Sequence, residues 1–157
     1  MYSFIMEGLE SADYNNESVF HISLTTDNDV LLDIHESFCK LLNEIYKVYK
    51  HFRFCYVITD EGNGVIHLLL NDVFLPVEWF SNFWSKFHNS YIVRRFLVDF
   101  SRIVDLSVYL STQDCIVDLG CSCDWLNILG SEMNVVDVAD VSFAFKSSVD
   151  GFNRRLF

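Results

Sequence analysis

Residues 60 to 70, Asp-Glu-Gly-Asn-Gly-Val-Ile-His-Leu-Leu-Leu, set a pair of carboxylates, a Gly-Asn-Gly turn and a single histidine, His67, side by side in the chain. Asn and Gly tolerate the positive φ that tight hairpins need. Phe54 to Thr59 and Val65 to Leu70 are therefore expected as neighbouring strands. Asp60 and Glu61 then fall at the mouth of the sheet, within reach of His67. Carboxylate and imidazole on adjacent strands are the donors from which a divalent metal site can be built. The competing reading makes His67 a packed, hydrogen-bonded core side chain.

The elements that must position these residues follow from periodicity. Residues 1 to 17 read as an irregular segment, with Asp13-Tyr14-Asn15-Asn16-Glu17 as loop. From Val19 to Thr26, Phe20, Ile22 and Leu24 alternate with His21, Ser23 and Thr25, the period of a strand. Asp27-Asn28-Asp29 supplies turn and N-cap chemistry. Leu31, Ile34, Phe38, Leu41, Ile45, Val48 and Phe52 then form one apolar helical stripe. After the hairpin, Pro76 suits the first turn of a second helix, with Trp79, Phe80, Phe83, Trp84 and Phe87 on its apolar face. Tyr91 to Val98 is expected as a strand. Ser101 to Ser111 is expected as a third helix, with Ile103, Leu106, Val108 and Tyr109 mostly inward. Ile116 to Leu119 fits an edge strand, and Val135 to Phe145 another.

The resulting order, β-α-β-β-α-β-α, predicts an α+β fold: an antiparallel sheet of about five strands with helices packed on one face, of ferredoxin-like kind. The whole chain, 1–157, reads as one domain, with a core over 19–113 and a C-terminal extension over 114–157. No apolar run reaches the roughly 18 residues of a membrane span, and the N-terminus lacks the basic start of a signal peptide. A cytoplasmic protein without membrane contact is expected.

The formal charge of −11 excludes a simple DNA-coating protein with a broad basic face. It leaves room for an enzyme that meets nucleic acid through a metal and a small basic patch. Lys40, Lys47, Lys50, His51 and Arg53 make one basic cluster, Arg94, Arg95 and Arg102 another, and Arg154-Arg155 a third. Solubilising charge is the alternative for each. Cys39, Cys55, Cys115, Cys121 and Cys123 are odd in number and contain no C-x-x-C pair, which points to reduced, mostly buried thiols.

Three segments in order resemble the motifs of the rolling-circle replication initiators, the His-hydrophobic-His endonucleases of plasmids and small viruses. They are Leu24-Thr25-Thr26, the hairpin Glu61-Gly-Asn-Gly-Val-Ile-His67, and Val108-Tyr109-Leu110-Ser111. The hairpin and the Trp-rich helix after it are similar to archaeal virus and plasmid members, over about residues 19 to 126. The resemblance implies a metal-dependent DNA endonuclease serving viral or plasmid replication. In that family, histidines and an acid hold Mg²⁺ or Mn²⁺ on the scissile phosphate. A tyrosine attacks phosphorus to leave a 5′-phosphotyrosyl link and a free 3′-hydroxyl.

Carried onto this chain, the resemblance makes His67 a metal ligand, Glu61 or Asp60 its carboxylate partner and Tyr109 the nucleophile. Glu78, at the start of the Trp-rich helix, is a further acid for the site, and Arg94, Arg95 and Arg102 are the expected DNA contacts. The departures are specific. Leu69 stands where the second histidine belongs, so water or His21 must fill that position, and the lysine common in the tyrosine helix is missing. These departures keep a second reading open, a catalytically inactive relative that binds DNA or a viral replication partner. Trp125, Phe143 and Phe145 could then stack on bases. A small-molecule enzyme has no phosphate-cradling loop to support it, since Gly62 and Gly64 serve the hairpin.

Overall fold

The structure is a computed structural model that describes residues 1–26, 33–60, 64–88, 92–113 and 115–126. In chain order its elements are α1 (Tyr2–Tyr14), β1 (Val19–Thr25), α2 (Ile34–Val48), β2 (Arg53–Thr59), β3 (Val65–Asn71), α3 (Val77–Trp84), β4 (Val93–Leu97), a 3-10 turn (Phe100–Arg102), α4 (Ile103–Ser111) and β5 (Ile116–Cys121). The strands form one antiparallel sheet in the order β4-β1-β3-β2-β5. Strands β1 to β4 with α2 and α3 make a split β-α-β arrangement, and β5 adds an edge beside β2.

The hairpin forms as its turn chemistry requires. Thr59 pairs with Val65, Val57 with His67 and Cys55 with Leu69. Gly64 sits at φ +116, and a Cβ there would press on the Ile34 side chain; only glycine closes this turn without strain. Helix α2 begins one turn later than Asp27-Asn28-Asp29 suggested. Its N-cap is Asp33, whose carboxylate accepts the Glu36 N–H at 2.9 Å. Leu31 and Asp27 to Asp29 lie outside the described residues, as do Phe143, Phe145 and the expected strand over 135–145. The helix ends at Val48, so Phe52 joins the core from the approach to β2.

Two expectations are corrected. The N-terminal segment is a helix, α1, and helices cover both faces of the sheet. On one face Phe38, Leu41, Ile45, Phe80, Phe83 and Trp84 from α2 and α3 pack on Phe20, Ile22, Leu24, Phe54, Ile58, Ile66 and Leu68. On the other, Phe4, Ile5, Leu9 and Ala12 of α1, with Ile103 and Leu110 of α4, pack on Val19, Cys55, Val57, Leu69 and Leu119. Strands covered on both sides lose the polar alternation of a half-exposed sheet. That is why six of the seven residues in each of β2 and β3 are buried.

Helix α4 also turns differently from expectation. Ile103, Ser107 and Leu110 are buried, whereas Val108 and Tyr109 are about half exposed. Four- and three-residue steps from Ile103 define the inward stripe, and Ser107 Oγ meets Met6 Sδ of α1 at 3.5 Å. No helix among the described residues is long and apolar enough to cross a membrane.

Trp125 locks α1 in place. Its indole is fully buried, its Nε1–H donates to Phe4 O at 3.0 Å, and its ring lies on Gly8 where any Cβ would collide. Alanine in a helix interior is ordinarily favoured over glycine by roughly 0.5–1 kcal/mol. Here the collision decides the sign. Gly8→Ala is expected to lower unfolding free energy by about 1–3 kcal/mol, read in urea denaturation; a stabilised variant would show that α1 does not pack on Trp125.

Candidate functional site

Side chains of β1 and β3 that point toward α1 and α4 include His21, Ser23, His67 and Leu69. Register makes His21 the direct neighbour of Leu69 and Ser23 the direct neighbour of His67, so the two histidines are diagonal across the central strands. Their rings meet: His21 Nε2 lies 3.2 Å from His67 Nδ1, with ring centroids 5.4 Å apart. Tyr109 of α4 packs edge-on against the His67 ring, 5.6 Å between centroids at 87°. Phe96 of β4 flanks His21 at 6.3 Å.

Beside this cluster lies an open pocket of about 430 Å³, lined by His21, Phe96 and Tyr109 and rimmed by Asp99, Arg102 and Asp105. His67 does not line the pocket; it lies behind His21 and Tyr109, at 5% exposure, while Tyr109 and Phe96 stay half open to solvent. A buried imidazole thus sits behind two aromatic surfaces that a ligand can touch.

Burial sets the protonation of the pair. Desolvation lowers the His67 pKa to about 4; desolvation, then repulsion from His67, lowers that of His21 to about 4. Both rings are neutral at neutral pH, so one donates across the 3.2 Å contact and the other accepts. For both facing nitrogens to ligate one ion, that shared proton would have to leave the contact, placing N–H on His67 Nε2 and His21 Nδ1.

The pair's spacing bears on metal binding. Two cis ligands, each about 2.1 Å from one ion, stand about 3.0–3.4 Å apart. The observed 3.2 Å falls in that range, and neutral imidazoles bind a cation without first releasing a proton. The carboxylate is the deficit. Asp60 is three residues beyond Val57, the strand partner of His67, roughly 10 Å along the sheet. Glu61 lies outside the described residues. Among the described residues no three His, Cys, Asp or Glu side chains converge as a metal-holding group. Among the described residues the two imidazoles are therefore the nitrogen donors that meet here.

The remaining expected residues are dispersed. Glu78 is on α3, whose apolar side packs on the face opposite the histidines, so the sheet separates it from them. Arg95 also belongs to that opposite face, with its guanidinium 3.9 Å above the Phe20 ring. Arg94, opposite Ser23, shares the histidines' face and is exposed. Arg102 reaches the pocket rim and pairs with Asp105 at 3.5 Å. Asp99 is held below the usual carboxylate range by hydrogen bonds from the Ser101 hydroxyl and N–H.

Sequence reasoning gave His21 only a substitute's role and missed Phe96 altogether. Alternation along β1 set His21 apart from Phe20 and Ile22. The register that brings it to His67 had no sequence signal.

The lowered pKa values make stability depend on pH. In the unfolded chain each histidine binds its proton near pH 6.5, whereas in the fold it resists until about pH 4. Over that interval the unfolded state holds more protons, so stability present above pH 6.5 is lost as pH falls toward 4. Thermal melts from pH 7 to pH 4 should show a falling midpoint, and His21→Asn with His67→Asn should flatten the fall. An unchanged pH profile in the double variant would contradict a buried neutral pair. No family model, no curated protein and no solved structure matches this chain.

Proposed function

We propose that the chain is a metal-dependent DNA endonuclease related to the rolling-circle replication initiators, with His21 in place of the histidine missing at position 69. The observation that carries this reading is the meeting of His67, His21 and Tyr109 on one face of the central strands, beside an open pocket. The three residues come from three separate segments, and two of them occupy the motif positions that the resemblance assigns.

In this reading His21 and His67 hold Mn²⁺ or Mg²⁺, and imidazole donors favour the former. When bound, the ion polarises the scissile phosphate and offsets the charge that develops on it. The chain's own groups do the rest. The Tyr109 hydroxyl attacks phosphorus in line with the leaving 3′-oxygen. Its proton passes to water, which also protonates the departing 3′-oxygen. The P–O3′ bond breaks, leaving a 3′-hydroxyl and a 5′-phosphotyrosyl ester. Arg94 and Arg102 supply local positive charge for the phosphodiester backbone in a chain that is otherwise strongly acidic, and Phe96 offers a base-stacking surface. Viral or plasmid replication is the process that such a nick would serve.

A second reading, an inactive relative that keeps the fold for binding, is favoured by the two-donor set and by the −11 charge.

The two readings part in one assay. Labelled single- and double-stranded DNA is incubated with the full chain and Mn²⁺, Mg²⁺ or EDTA, and products are probed for covalent protein. The nuclease reading requires metal-dependent cutting with a protein-linked 5′ end. His67→Ala and His21→Ala should each reduce the rate by at least 10-fold, about the lower bound for losing a metal-organising group. Tyr109→Phe should abolish the adduct. Cutting without an adduct would assign attack to water, and no cutting with any metal would leave the binding reading in its place.

A further inference from the structure

Away from the histidine cluster, the register across β2 and β5 sets two buried thiols opposite each other. Cys55 pairs directly with Cys121. The Ser122 N–H donates to Phe54 O at 2.8 Å, and the Phe54 N–H reaches Ser122 Oγ at 2.9 Å. Phe54 and Ser122 are thus the hydrogen-bonded pair, which makes Cys55 and Cys121 the adjacent non-hydrogen-bonded pair. Residues at such positions have Cα atoms about 4.5 Å apart, inside the roughly 4.4–6.8 Å span of disulfides. Direct opposition also sends both side chains to the same face, where they join the core under α1 at 1% exposure each. Cys39 belongs to the core on the other face, while Cys115 and Cys123 are exposed.

We propose that Cys55 and Cys121 form a redox-active cross-strand dithiol, which closes to a disulfide tying edge strand β5 to β2. The reaction needs a small-molecule disulfide as oxidant, such as oxidised glutathione. One cysteine thiolate attacks a sulfur of the oxidant and expels one glutathione thiolate. The second cysteine thiolate attacks the protein sulfur of the mixed disulfide and expels the other. Two protein thiols lose two electrons and two protons, and one oxidant disulfide becomes two thiols. The site is independent of the nuclease reading.

Access limits the rate rather than the geometry. Burial pushes the Cys121 thiol up to about 12 and the Cys55 thiol upward as well, so the closed fold holds little thiolate. Among the described residues strand β5 is bonded to β2 alone, and opening of this edge is the route to exchange. Once formed, the bond returns to the buried face, shielded from reductant.

The full-length protein, equilibrated with oxidised or reduced glutathione in a low concentration of urea that admits edge opening, is alkylated after unfolding and mapped by mass spectrometry. The expected product joins the Cys55 and Cys121 peptides, lighter than their sum by two hydrogens. Its melting midpoint should rise by roughly 10 °C and return on reduction. Cys121→Ala should lose the rise. A variant with Cys39→Ala, Cys115→Ser and Cys123→Ser should keep the link. Full alkylation of Cys55 and Cys121 after oxidation, or bonds made only through Cys115 or Cys123, would overturn the proposal.

Discussion

Strand β3 is covered on both faces, so a polar side chain placed on it is withdrawn from water. Leaving a buried polar group unpaired costs about 1–3 kcal/mol, and carrying charge there costs more. His67 meets this constraint by bonding to His21 across β1. The same burial that requires the bond keeps both rings neutral. Position and protonation thus share one cause. Helices α1 and α4 create that burial on the histidines' side. Without them, His67 would face water and titrate as an ordinary imidazole.

Charge is distributed with a similar economy. The acidic surplus keeps general affinity for nucleic acid low. Of the three arginines expected to touch DNA, Arg95 is spent on packing over Phe20, and only Arg94 and Arg102 remain on the histidines' side. A surface with so few free cations near the pocket gains little from non-specific phosphate contact.

Much of this fold was legible in the sequence because its signals are local. The Gly-Asn-Gly hairpin, the α2 stripe and the edge strand at Ile116 each depend on residues close together in the chain. Helix α1 was hidden because its stripe is short: Ile5, Leu9 and Ala12 are interleaved with Ser3, Glu7, Glu10 and Ser11, and Gly8 reads as a breaker. Gly8 is there for the indole of Trp125, more than a hundred residues away, and no local pattern reports such a contact. The inward face of α4 was misread for the same reason, since Ser107 is buried by a contact to Met6 that lies outside its own helix. The candidate site was half legible. Residue types pointed to His67 and Tyr109, while His21 and Phe96 depend on strand register.

Register also explains how single histidines on two different strands form one imidazole pair. On one strand, residues two apart are about 6.6–6.8 Å from each other. Diagonal neighbours on adjacent antiparallel strands are about 7–8 Å apart, nearly the same spacing. His21 is diagonal to His67 and directly beside Leu69, so the two rings meet although neither strand carries histidines two apart. Leu69 itself is buried under the opposing helices, and an imidazole at 69 would have to give up that apolar contact. Moving the donor to β1 keeps the core beneath α1 apolar and sets the second ring at the lip of the pocket. Phe96 packs against the His21 ring and Tyr109 against the His67 ring, which fixes the orientation of the pair.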